Sequence, residues 1–125
     1  LMTECLFCNI PSERVIKENE LAYAIFDGFP VTDKHALIIP KRHALNYFEL
    51  TKDEIDACNG LLFELKSSVE SDDELVSGFN IGMNNGESAG QTIFHCHIHL
   101  IPRRDGDIDE PRGGVRGVIP EKRLY

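Results

Sequence analysis

The sequence predicts an α+β domain, an antiparallel sheet of about five strands packed with one long helix. Five short runs rich in aliphatic, β-branched and aromatic residues are joined mostly by brief turn-forming segments, which suits antiparallel pairing. A single capping box opens a long helical stripe. Residues 93–101 alternate with period two. At 125 residues the chain is long enough to bury a core without disulfide or metal staples, as one domain over residues 2–125.

Each element has a local cause. Residues 14–17 (Arg-Val-Ile-Lys) and 21–26 (Leu-Ala-Tyr-Ala-Ile-Phe) read as two strands joined by the polar turn Glu18-Asn19-Glu20. Asp27-Gly28-Phe29-Pro30 breaks the run, and a third strand at 35–39 stops at Pro40. Thr51-Lys52-Asp53-Glu54 is a capping box, with Thr51 as N-cap. Behind it Ile55, Cys58, Leu61, Leu62, Leu65 and Val69 recur at helical spacing, which predicts a helix over 52–70. A fourth strand is expected at 77–83, a glycine-containing loop at 84–91 and a fifth strand at 93–101. Residues 104–125 read as an extended C-terminal tail.

The fifth strand carries the most informative residues. On a regular strand His95, His97 and His99 share one face, while Phe94, Cys96, Ile98 and Leu100 form the opposite, buriable face. Imidazole serves nucleophilic attack, proton transfer and metal ligation near neutral pH. Three on one face, in a chain with two others, mark this strand as the active element. One catalytic zinc held by all three is excluded on such a strand: the first and third would stand ~13–14 Å apart, whereas zinc–nitrogen bonds are ~2.0–2.1 Å.

Charge and cysteine usage narrow the setting. The net charge of −8 argues against nucleic acid, because phosphate-backbone binding needs clustered Lys and Arg. The charge is uneven: residues 1–102 carry −9 and residues 103–125 carry +1. Any bound anion must therefore be held by local hydrogen-bond donors. No apolar stretch approaches the ~20 residues of a membrane span, and the N-terminus lacks a signal pattern. Leu1 stands before Met2 and reads as an extra residue, and the chain as cytoplasmic. Cys58 and Cys96 fall at apolar positions and read as small buried hydrophobes. Cys5 and Cys8 form a Cys-x-x-Cys pair; it lacks the βαβ context of a redox motif and suits zinc better, with two further ligands to be found.

The run Gly90-Gln91-Thr92-Ile93-Phe94-His95-Cys96-His97-Ile98-His99-Leu100 resembles the signature of the histidine triad (HIT) superfamily, His-apolar-His-apolar-His-apolar. Upstream, Leu37-Ile38-Ile39-Pro40-Lys41-Arg42-His43 is similar to the family's apolar strand, proline, basic pair and fourth histidine. Asp27 before Pro30, and Leu6-Phe7 with Ile10, also fall where the family has them. The resemblance spans roughly residues 5–103, and the tail at 111–120 is similar to small microbial members.

The resemblance implies a HIT-like fold, a homodimer and a nucleotide substrate built on AMP or another adenosine or guanosine derivative. It implies hydrolysis of a phosphoanhydride or phosphoramidate bond through a covalent nucleotidyl-histidine. By position His97 is the nucleophile, and His99 donates to a non-bridging phosphate oxygen. Asn84, Gln91 and Thr92 fall on the phosphate side, Asp27 at the ribose, and Leu6, Phe7, Ile10 and Ile25 at the base. A base slot lined only by apolar side chains would discriminate little between adenine and guanine. In the branch that includes galactose-1-phosphate uridylyltransferases, a Cys-x-x-Cys, an upstream histidine and the first triad histidine bind zinc. Carried over, the ligands of a structural zinc are Cys5, Cys8, His43 and His95. His35 lies outside every pattern and reads as a surface or packing histidine. The alternative function is a nucleotide-binding sensor or partner module with little turnover.

Overall fold

The computed structural model describes residues 4–125; Leu1 and Met2 lie outside that range. Five antiparallel strands, β1 (Val15–Glu18), β2 (Ala22–Phe26), β3 (Ala36–Pro40), β4 (Val76–Gly82) and β5 (Ile98–Arg104), form one sheet in the order β1-β2-β3-β5-β4. The one α-helix among the described residues, α1 (Lys52–Asp72), runs two residues past its expected end. Its capping box is complete: the Thr51 hydroxyl accepts from Glu54 N–H, and the Glu54 carboxylate accepts from Thr51 N–H.

The sheet buries both faces at its centre, which is why β2 and β3 read as nearly continuous apolar runs. On one face Cys58, Leu61 and Leu65 of α1 meet Ala22, Ala24, Ala36, Ile38, Ile98 and Leu100. The three alanines let the helix approach closely; each fully buried Leu or Ile contributes roughly 1.5–3 kcal/mol. On the other face Tyr23, Ile25, Leu37 and Ile39 pack with Phe7 from the N-terminal segment. Asn19 closes the β1–β2 turn by accepting from Leu21 and Ala22 N–H, and its amide donates to the Ala57 carbonyl of α1.

The largest departure from the expected elements is β5, which begins at Ile98 rather than at 93. β3 pairs with β5 from Ala36↔Leu100 to Ile38↔Ile98. Two residues further along, β3 reaches Pro40, which has no N–H to give a ladder. His95 and His97 therefore lie ahead of the strand, and only His99 stands on its regular face. Cys96 N–H bonds the Ala44 carbonyl instead (2.7 Å). Phe94, expected on a buried face, is 45% exposed for the same reason. β1 to β4 keep their expected places within a residue. The C-terminal segment, residues 105–125, lies outside the sheet and is largely exposed. After β5 it folds into two short 3-10 turns, Gly114–Val118 and Pro120–Lys122. Arg123 ties them back by donating to the carbonyls of Glu110 and Arg112. Gly113 (φ 92°) is required there, because a β-carbon would fall on the Arg123 carbonyl.

Candidate active site

Because the chain joins the ladder only at Ile98, the first two triad histidines turn in different directions. His97 lines a cavity of about 290 Å³ on the sheet face opposite α1, together with His99 and Asp27. β4 pairs Gly82 with His99, so the chain beyond β4 brings Asn84 to the same cavity. Leu6, Phe7, Ile25 and Thr92 also line it. Ile10 does not; it packs on the Phe7–Tyr23–Ile25 cluster from outside. Nor does Gln91, whose buried amide donates to the Leu45 and Ile93 carbonyls and accepts from Gly86 N–H. Gln91 bolts the 84–91 loop to the segment after His43 and has no hydrogen left for a phosphate.

The hydrogen bonds assign the protons. His97 Nδ1 lies 2.8 Å from the His95 carbonyl. A carbonyl only accepts, so Nδ1 carries the hydrogen and Nε2 keeps its lone pair. For His99 the assignment runs through His35. Val31 N–H donates to His35 Nδ1 (3.0 Å), so the His35 hydrogen sits on Nε2 and points at His99 Nδ1, 2.9 Å away. His99 is thereby left with Nε2–H as a donor. Burial, with His97 and His35 as neighbours, pushes the His99 pKa down to about 4. Burial also lowers that of His35, against the opposing pull of Asp27. Both are neutral near pH 7. His35 is 2% exposed, with Nε2 3.5 Å from the Asp27 carboxylate. Of the two expectations for His35, surface or packing, burial leaves the second, and its ring also bonds His99. Asp27, His35 and His99 also lie close enough to suggest a metal set, but an N–H···N bond accounts for the 2.9 Å contact.

His95 points the other way. It is fully buried and donates from Nε2 to the Pro40 carbonyl (2.7 Å), leaving the Nδ1 lone pair toward two thiols. Cys5 Sγ and Cys8 Sγ lie 3.4 and 3.5 Å from it, and His43 Nδ1 lies 3.3 Å from Cys8 Sγ. All four ligand atoms fall within 4.8 Å of one another. Bond lengths of about 2.3 Å to sulfur and 2.0–2.1 Å to nitrogen give a tetrahedron with edges of about 3.6 Å. The donor set and its spacing fit a zinc ion. Burial raises the other two thiols, Cys58 to about 11 and Cys96 to about 12, so they stay protonated and inert.

A second cavity of about 450 Å³ adjoins the first through His99 and Asn84. Ile81, Met83, Ile101, Val115 and Val118 give it apolar walls. Its one cation, Arg103, is held bidentately by Asp107 (2.8 and 2.7 Å) and also donates to Asn80.

These features define a class. The HIT domain family model matches residues 9–106, most of the chain. The chain belongs to the HIT family, which places it among nucleotide hydrolases and transferases. It is 38% identical over 103 residues to an uncharacterized 16.1 kDa HIT-like protein of Mycoplasma pneumoniae, covering 79% of this chain and 71% of that one. It is 32% identical to the Candida albicans protein named adenosine 5′-monophosphoramidase HNT1, covering 81% of this chain and 71% of that one. A structure described as a Zn-bound histidine triad family protein, from Mycobacterium smegmatis, superposes with a TM-score of 0.76 at 30% identity, covering 86% of this chain and 80% of that one.

Proposed function

We propose that this chain hydrolyses a nucleoside phosphoramidate through a covalent nucleotidyl-histidine on His97. The observation that carries the reading is the His97 ring: Nδ1–H is spent on the His95 carbonyl, so the Nε2 lone pair is available in a cavity shared with Asp27. A neutral, tautomer-fixed imidazole can attack an α-phosphorus, forming the P–Nε2 bond as the bond to the leaving group breaks. His99 Nε2–H donates to a non-bridging oxygen and offsets charge in the transition state. The leaving nitrogen departs as the amine with a proton taken from solvent; water then attacks the phosphorus, giving a proton back to solvent, releasing the nucleotide and restoring the Nε2 lone pair. Asp27 accepts from the ribose hydroxyls, and Leu6, Phe7 and Ile25 bury the base. Ile10 acts through the packing of Phe7, and Gln91 through the loop that carries Asn84 and leads into Thr92.

The second cavity supports a phosphoramidate over a dinucleoside polyphosphate. A polyphosphate leaving group brings several negative charges, and the one cation there is already neutralised by Asp107. An uncharged amine needs none. A structural zinc on Cys5, Cys8, His43 and His95 is part of the same reading; when bound it pins the N-terminal segment against the turn that presents His97. Homodimerisation and a cytoplasmic, reducing setting are further parts, the latter suited to four free cysteines. Among the described residues no helix is long and apolar enough to cross a membrane.

The test is incubation with adenosine 5′-phosphoramidate, following AMP release and an acid-quenched protein–nucleotide adduct. AMP release through the adduct is expected. Tight AMP binding with no release by zinc-replete protein overturns the hydrolase reading in favour of a sensor module.

A further inference from the structure

We infer that Arg14 reads the base and makes this chain prefer guanine over adenine, an inference that rests on the cavity being a nucleotide site. Sequence alone leaves the base slot purely apolar, with no edge to tell one purine from the other. The structure adds one charged side chain to that slot. Arg14 ends the short 3-10 turn Ser12–Arg14, immediately before β1, and lines the 290 Å³ cavity. Pairing of Val15 with Ile25 brings it beside the end of β2. Its Nη2 donates to the Phe26 carbonyl at 3.1 Å and would stand 4.0 Å from a β-carbon on Gly28. The guanidinium therefore flanks Asp27 at the nucleoside end, while His97, His99 and Asn84 mark the phosphate end.

What this group can recognise follows from its chemistry. A guanidinium is a planar fork of five N–H donors with no acceptor. Among the described residues it makes one hydrogen bond and meets no carboxylate at ion-pair distance, so Nε–H and the Nη1 hydrogens are available. The purines differ where such a fork would reach. Guanine presents two adjacent acceptors, O6 and N7, and matches the fork bidentately. Adenine presents N7 beside the N6 amino group, which sets donor against donor. The apolar side chains at that end, Leu6, Phe7, Ile25 and Phe29, are blind to this difference, and Asp27 is engaged by the ribose. Arg14 is exposed, so water competes, and the preference belongs at the lower end of what a bidentate pair gives, about tenfold in Kd.

Calorimetric titration of the intact protein with GMP, IMP, 7-deaza-GMP and AMP tests this. IMP keeps O6 and N7 but lacks the 2-amino group; 7-deaza-GMP loses N7. GMP and IMP should bind about tenfold more tightly than AMP, with 7-deaza-GMP dropping toward AMP. Arg14→Met should remove the preference by weakening GMP while AMP moves by less than about twofold. Arg14→Gln, whose amide carries one donor and one acceptor, should tilt the preference toward AMP. Equal affinity of the wild-type protein for GMP and AMP overturns the inference and leaves the nucleotide site standing. Parallel weakening of both nucleotides in Arg14→Met also overturns it. Failure of every nucleotide to bind overturns the nucleotide reading itself. Should Arg14→Met not fold, the 7-deaza comparison on the wild-type chain still decides.

Discussion

His95 and His97 stand two residues apart in one motif and use opposite ring nitrogens. His95 gives its Nε2 hydrogen to the Pro40 carbonyl, so its Nδ1 faces the part-buried thiols of Cys5 and Cys8, in a set of four ligand atoms that closes around one point. His97 gives its Nδ1 hydrogen to the His95 carbonyl, so its Nε2 faces an open cavity. The residue type is the same; a backbone acceptor decides which nitrogen is left for chemistry. One half of the motif thus suits a structural ion and the other a reaction. The two halves should fail differently when broken.

The largest effect is expected at the open half. His97→Ala should lower kcat by about a thousandfold or more, as loss of a nucleophile does, while nucleotide affinity is largely kept. Near-parental turnover measured by AMP release would end the assignment. At the closed half the loss should appear in stability. Zinc should co-purify at about one per chain. Stripping it, or substituting Cys5→Ser, should lower stability by about 3 kcal/mol, the linkage expected with metal a few hundredfold above its Kd. Activity should fall only as far as the turn carrying His97 loosens. Elemental analysis that finds no metal in fully reduced, active protein would remove the ion from the closed half and with it the contrast.

How legible this was depended on how local each cause was. The helix was readable because its cap and stripe are written in neighbouring residues, Thr51 to Val69. The roles expected of His97, Asp27 and Asn84 rested on the resemblance, and the structure brings the three to one cavity. His35 could not be read, because its meaning depends on which strand pairs with β5. Leu37 faces His99 across the β3–β5 ladder, and His35 lies two residues back on the same side; that register is not in the local pattern. The late start of β5, at Ile98, escapes the local pattern for a related reason. Alternation over 93–101 was genuine, but Pro40 on the neighbouring strand decides how far the ladder runs. Gln91 has the residue type of a phosphate donor, and only the fold shows its amide already spent.

His35 supplies the next test. His35→Ala removes the donor that fixes the His99 tautomer, so kcat should fall about 10–100-fold with little change in nucleotide affinity. It also hydrates the pocket and removes a like-charged neighbour, so the His99 pKa should climb from about 4 toward 6.5. The His99 titration, followed by NMR of its ring protons, should move up with it. Loss of activity with the His99 titration unmoved would mark a merely structural role and break the relay.

The smallest effect lies behind the closed half, at Glu54. Its carboxylate caps α1 through Thr51 N–H and takes two hydrogen bonds from Arg42, the residue before His43. The Arg42 bonds hold its pKa down at about 2. A carboxyl lowered on folding stabilises the fold above its unfolded pKa, about 4.3. That contribution is lost as pH falls from there through about 2. The Arg42 side chain is 52% exposed, so solvent screens the pair and only about 1 kcal/mol is expected. Glu54→Gln keeps the shape and the capping acceptor while removing the charge. In urea titrations the wild type should exceed Glu54→Gln by about 1 kcal/mol at pH 7, with the gap closing as pH drops toward 2. A gap that persists there would mean that the charge was not its cause. The His43 turn would then be held by the Glu54 cap and by the bond from Arg42 to the Glu49 carbonyl, without help from the ion pair.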